Sequence, residues 1–224
     1  SNLETLVVRK NLENNLAILS GKTAFQTGNI PERGTVEGRN LTRNFIKSYL
    51  TSIGYNVETQ KYRTNGENIL VKLMATTPTD EYILLGAHLD SVRNSGANDN
   101  GTGSTAVLEV ARVLKELETR KVNVIFAWFD EEEIGLVGSE AMAKEFKKQK
   151  LNLTSAHTID MMGWDSDKDR VIEIEQPDGH LWEYYNQANK NHNLNFKLFR
   201  TSSGSTDHEA FRAEGFNSVG LCEE

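Results

Sequence analysis

From Tyr82 to the end of the chain, short runs rich in β-branched and aromatic residues alternate with amphipathic stretches, and that alternation leaves few folds open. Strands are expected over Tyr82 to His88, Val122 to Phe129 and Thr154 to Asp160, with helices over Thr105 to Leu117 and Gly138 to Lys148 between them. Strands joined through crossover helices pair in parallel, with helices covering both faces of the sheet. Further strands at Arg170 to Glu175, Phe196 to Arg200 and Asn217 to Cys222 alternate with helices Leu181 to Asn191 and Asp207 to Ala213. Upstream, Leu3 to Leu19 and Leu41 to Ile53 carry apolar residues at helical spacing, and Gly54 supplies a stop for the second. Tyr55 to Tyr62 and Asn68 to Ala75, joined across Asn65-Gly66, read as an antiparallel hairpin. The expected fold class is α/β, a three-layer α/β/α sandwich around a mixed, largely parallel twisted sheet. Pro31, Pro78 and Pro177 fall between elements, and no repeat or linker divides the 224 residues, so residues 1–224 are expected to form one domain.

Charge and composition remove several functions. With 25 Lys+Arg against 32 Asp+Glu the net charge is −7, and no basic stripe interrupts it, so nucleic acid is not an expected partner. The apolar run Val124 to Phe129 is far shorter than the roughly 18 residues a membrane helix needs, so no membrane partner is expected. A single cysteine, Cys222, excludes an internal disulfide and a cysteine-rich zinc site; in its β-rich run it reads as a small buried hydrophobe. The chain starts at Ser1 with no charged-then-apolar leader, which reads as a processed or recombinantly expressed chain from which any export signal would already be gone.

In an open α/β sheet ligands bind beyond the carboxyl ends of the strands, so the residues at those ends matter most. The first core strand ends in GAHLDSV, with His88 and Asp90, the second runs into DEEEIGLVGS, with Asp130 to Glu133, and the third into TIDMMGWD, with Asp160. A glycine-rich turn, GANDNGTG, adds Asp99. His88 and Asp90 share a side of an extended chain, so Asp90 can accept the Nδ1 proton of His88 and leave Nε2 for a metal. Glu132 and Glu133 are adjacent, a pairing in which one binds an ion while the other handles a proton. Asp130 and Glu131 read as acids at a solvated helix start. Like charges about 5 Å apart at an effective dielectric near 20 repel by roughly 3 kcal/mol per pair, so gathering Asp99, Glu133 and Asp160 calls for a cation. Nitrogen with carboxylate ligands suits zinc, manganese or cobalt better than calcium, and zinc is expected. His157 falls on the opposite strand face from Asp160 and reads as packed, Trp128 and Phe129 read as core, and His180 and His192 bracket a helix.

In these motifs and their order, GAHLDSV, GANDNGTG, EEIGLVGS, TIDM and STDHEAF, the sequence resembles the two-zinc aminopeptidases of the bacterial leucyl-aminopeptidase type, a superfamily shared with glutaminyl cyclases and glutamate carboxypeptidase. The resemblance runs from about the second helix to the last residue. It implies that His88 and Asp160 hold one zinc, that Glu133 holds the other, and that Asp99 bridges both. It also implies that Glu132 is the general base, that Asp90 orients His88, and that the Asp99-Asn100 peptide is cis. His208 in STDHEAF then belongs to a helix-starting element with Thr206 and Asp207 rather than to the ligand set. The family's fifth ligand, a histidine in an aromatic-His-Thr segment, would lie beyond Glu224, so the sequence reads as a catalytic domain without the family's C-terminal segment. Of the two zincs expected for the family, one or none is expected here.

The implied function is metal-dependent removal of N-terminal residues from peptides with a free N-terminus, since an acid-lined site attracts an α-ammonium group. The alternatives are a glutaminyl-peptide cyclotransferase-like enzyme and a catalytically impaired binding domain. Secretion, or residence in the periplasm, is expected from the resemblance alone.

Overall fold

The computed structural model describes residues 2–26 and 28–223. After a short 3₁₀ turn at Leu3–Leu6 come helices α1 (Arg9–Leu19) and α2 (Val36–Ser52), then strands β1 (Glu58–Arg63), β2 (Gly66–Leu73) and β3 (Tyr82–His88). Next come α3 (Gly103–Leu114), β4 (Asn123–Phe129), α4 (Val137–Lys148), β5 (Leu153–Ile159) and β6 (Val171–Glu175). The chain continues through α5 (Leu181–Asn191), β7 (Lys197–Thr201), α6 (His208–Ala213) and β8 (Ser218–Glu223).

Strand β4 shows why the sheet must be covered on both faces. Its side chains alternate sides with a period of two. Val124, Phe126 and Trp128 pack with Phe45, Ile46 and Leu50 of α2 and Val107, Leu108 and Ala111 of α3. Ile125, Ala127 and Phe129 pack with Met142, Ala143 and Phe146 of α4 and Phe211 of α6. An unbroken apolar strand is therefore apolar because it has two cores, one per face. The eight strands form one sheet in the order β1-β2-β4-β3-β5-β8-β6-β7. β4, β3, β5 and β8 run parallel to one another, as do β6 and β7, while β1, β2 and the β6-β8 pair are antiparallel. This is the expected three-layer mixed architecture.

Three local departures have physical causes. The first expected helix is broken at Val7 and Val8, where an extended backbone brings the Val8 N–H 2.5 Å from Glu109 Oε2 on α3. Helix α2 starts at Val36, five residues before the apolar spacing begins, because Thr35 caps it, its hydroxyl accepting from Gly38 N at 3.0 Å. Its first turns bury Arg39 and Arg43, which an apolar count scores as exposed. The hairpin turns at Thr64 and Asn65, and Gly66 already lies in β2 opposite Arg63, where a Cβ would stand 2.6 Å from the Tyr62 ring.

His157 is packed, as expected. Its Nε2 lies 2.8 Å from Ser155 Oγ and its Nδ1 2.6 Å from the Tyr185 hydroxyl of α5, and burial pushes its pKa down to about 4. Because the folded state resists a proton that the unfolded chain takes up near 6.5, stability is complete above that pH and falls as pH drops toward 4. The His157 contribution is expected to show in urea unfolding at pH 7 and pH 5 as a difference between proteins: going from pH 7 to pH 5 the unaltered chain should fare worse than His157→Gln.

Candidate metal centre

Parallel pairing in register brings three strand ends to one edge. His88, the last residue of β3, pairs with Phe129, the last of β4, and Gly86 pairs with Thr158 near the end of β5. Asp130 and Asp160 are therefore the first residues beyond β4 and β5. Asp99 arrives from the turn between β3 and α3, where Gly96 takes a φ of 60° and the Asp99-Asn100 peptide is cis.

His88 sits at the middle of the cluster, fully buried. Its Nδ1 lies 3.1 Å from Asp90 Oδ1 and 3.0 Å from the Asp90 carbonyl, and its Nε2 lies 3.1 Å from Asp99 Oδ1, 3.5 Å from Asp160 Oδ2 and 3.5 Å from Glu132 Oε2. Single ligand atoms of His88, Asp99 and Asp160 lie within 4.8 Å of one another, and so do those of His88, Glu132 and Glu133. Among the described residues, His88 Nε2, Glu133 Oε1 and Asp160 Oδ1 are buried without a hydrogen-bond partner. With Nδ1–H donating to Asp90, Nε2 presents a lone pair to carboxylates that can only accept, a pairing that makes no hydrogen bond but fits a cation. The donor set of one imidazole and several carboxylates fits zinc.

The electrostatics carry the same message. Burial pulls the His88 pKa down, but the carboxylates of Asp160, Asp90 and Asp99 favour positive charge at the ring strongly enough to raise it well above the usual value, the same demand that a cation at Nε2 would meet. Asp99 is held below the ordinary carboxylate range, chiefly by His88. Glu133 is raised by burial and then by the Asp99 charge, and Glu132 is pushed up to about 8 by burial, with Asp207, Asp160 and Glu133 adding to it against His88. Among the described residues His88 is the charged partner within 3.5 Å of Asp99, Glu132 and Asp160, and a divalent cation would relieve the whole set at once.

The acidic run after β4 is divided, and one expectation for it is corrected. Asp130 and Glu131 are not solvated; both are buried. Asp130 pairs with Arg43 at 2.5 Å and Arg39 at 3.5 Å, while Glu131 pairs with Arg63 at 2.5 Å and accepts from the Tyr62 hydroxyl at 2.8 Å. Glu131 takes a φ of 57°, which turns the chain so that Glu132 and Glu133 face the cluster. Asp90 fixes them there: its Oδ1 accepts from Glu132 N and its Oδ2 from Glu133 N, each at 3.1 Å. Asp90 therefore positions His88 and both glutamates together. Asp90→Asn is expected to weaken metal binding by about 10–100-fold with little change in fold, measured by competition with a zinc indicator.

Two positioning residues escaped the sequence reading. Asn100, fully buried, donates to the Ile159 carbonyl at 2.7 Å and accepts from Gly103 N at 3.0 Å and Met161 N at 3.1 Å, tying the Asp99 turn to the end of β5 beside Asp160. Arg33, also fully buried, donates to the carbonyls of Leu19, Leu89, Ser95 and Gly96, joining the His88 strand end to the same turn. Glycine-rich turns advertise themselves in sequence, but the amide and guanidinium that hold one in place do not. His208 is buried with Nε2 2.9 Å from Gln176 Oε1, outside the His88 cluster, at the start of α6 as expected. Beside Glu133 a cleft of about 320 Å³ opens between Thr35, Val92, Arg93 and Ile134.

Comparison with known proteins identifies the family and the fold. The model of the family described as Peptidase family M28 matches residues 68–224. Aminopeptidase YwaD of Bacillus subtilis is 35% identical over 148 residues, covering 62% of this chain and 31% of that protein. The zinc aminopeptidase BSAP from Bacillus subtilis superposes with a TM-score of 0.64 at 28% identity, over 70% of this chain and 39% of that one. The LapA aminopeptidase of Legionella pneumophila superposes with a TM-score of 0.83 over all of this chain and 63% of its own, at 23% identity, a likeness of fold. The alignment thus spans about a third of the length of YwaD.

Proposed function

Since the chain belongs to peptidase family M28, we propose that it is a zinc-dependent aminopeptidase acting on peptides with a free N-terminus. The observation that carries this reading is the buried, donorless Nε2 of His88 surrounded by Asp99, Asp160 and Glu132. His88, Asp99 and Asp160 would hold one zinc, and Asp99 and Glu133 would reach a second. Bound there, zinc supplies a Lewis acid that polarises a carbonyl and makes a water more acidic.

The chain's own residues do the remainder. Glu132 Oε2 takes the proton of the attacking water and later gives it to the leaving amine. Asp90 holds Glu132 at the right place through its backbone N–H and keeps His88 in one tautomer. The excess of carboxylates attracts an α-ammonium group and repels a C-terminal carboxylate, which favours cleavage from the N-terminal end. The cleft beside Glu133 leaves room for a bound peptide at the same edge.

The test compares hydrolysis of free-amine and N-acetylated dipeptides by zinc-loaded and chelator-treated protein. Cleavage of the free-amine substrate alone, lost on chelation and restored by zinc, is the expected result. Equal rates on both substrates would remove amine recognition, and pyroglutamate release from a Gln-Phe substrate without hydrolysis would move the assignment to cyclisation.

A further inference from the structure

A group of side chains of metal-ligating types lies on the sheet face under α6, sharing no residue with the His88 cluster. Strands β6 and β8 run antiparallel with Glu173 opposite Cys222 and Glu175 opposite Gly220, so Glu173, Glu175 and Cys222 project from the same face. One ligand atom of each lies within 4.8 Å of the other two. Cys222 is buried, as its sequence context suggests, yet its neighbours are carboxylates rather than a core. Glu175 is 8% exposed and its Oε2 has no partner among the described residues.

An independent observation comes from α6. The Gln176 amide nitrogen donates to the Ser202 carbonyl at 3.3 Å, which turns Gln176 Oε1 toward His208 Nε2 at 2.9 Å. His208 must therefore donate from Nε2, and Nδ1 is left with a bare lone pair, fully buried and without a donor among the described residues. A Cβ on Gly220 would stand 2.6 Å from that Nδ1 and 3.1 Å from Glu175 Oε2, so both orphaned atoms face the gap left by the glycine.

We propose that Glu173, Glu175 and Cys222, with His208 Nδ1 above them, form a second site for a zinc-class transition metal. A thiolate with imidazole selects zinc-class ions over calcium or magnesium, which want oxygen alone. Zinc–sulfur and zinc–oxygen bonds of about 2.3 and 2.1 Å hold tetrahedral ligand atoms about 3.5 Å apart, so binding would draw together the Glu173, Glu175 and Cys222 atoms that lie within 4.8 Å of one another. The electrostatics fit: burial and neighbouring carboxylates push Glu175 up to about 7 and Cys222 up to about 12, shifts that a cation reverses. No step of peptide hydrolysis depends on this site.

Cobalt titration of the chelator-stripped chain tests it, because Cys222 is the only cysteine and the His88 cluster offers no sulfur. A near-ultraviolet sulfur-to-cobalt charge-transfer band is expected. It should vanish in Cys222→Ser, need at least tenfold more cobalt in Glu175→Gln, and persist in His88→Ala, whose hydrolytic activity is lost. In the unaltered chain zinc is expected to slow labelling of the Cys222 thiol, a readout that needs no variant. Absence of the band at saturating cobalt overturns the site. So does a band that Glu175→Gln leaves untouched, since that marks a thiol picking up metal on its own.

Discussion

Glu132→Gln is expected to lower kcat by about 10²–10⁴-fold while zinc content stays at the level of the unaltered protein. The substitution keeps the shape of the side chain and the backbone N–H that donates to Asp90 Oδ1, so the loop is held as before. What it removes is the oxygen that takes a proton. Glu132 is suited to that task because Asp90 holds its backbone and its Oε2 lies 3.5 Å from His88 Nε2, at the edge of the cluster. His88→Ala, by contrast, should lose metal and activity together. Steady-state kinetics alongside elemental analysis separates the two outcomes. If the Glu132→Gln variant held its zinc and kcat were unchanged, proton transfer would belong to another group.

The second large effect is on stability. Arg43→Met is expected to cost about 3–5 kcal/mol, because it leaves the fully buried Asp130 carboxylate with only Arg39, 3.5 Å away, as a charged partner among the described residues. Burial already raises the Asp130 pKa against the pull of Arg43 and Arg39, so the pair is finely balanced. Urea unfolding should show the loss. The double change Arg43→Met with Asp130→Asn should recover much of it, because the uncompensated charge is gone and the amide oxygen can still accept from Glu67 N. If the two single losses simply add, the ion pair is not the cause.

Most residues of the His88 cluster were legible in the sequence because they end a strand or follow one closely. His88, Asp130 to Glu133 and Asp160 follow directly from the two-core burial of β3, β4 and β5, and Asp99 follows from the glycines around it. Buried charge was not legible. Arg39 and Arg43 occupy inward positions of α2, and a hydrophobic count treats them as surface, which also hid the true start of that helix. The division of DEEE into two buried, arginine-paired acids and two acids facing the cluster depends on one left-handed residue, Glu131, that is not a glycine. The insertion of β8 between β5 and β6 is equally silent, because strand order is decided by long-range packing. That insertion is what sets Cys222 beside Glu173.

The Asn100 clamp has a consequence for how the site handles ions. A turn whose position is set by three amide hydrogen bonds to neighbouring backbone holds Asp99 beside Asp160 through contacts that involve no ion. Metal exchange then resembles swapping the guest of a rigid host. Replacing one zinc-class ion by another is then expected to leave the fold unchanged.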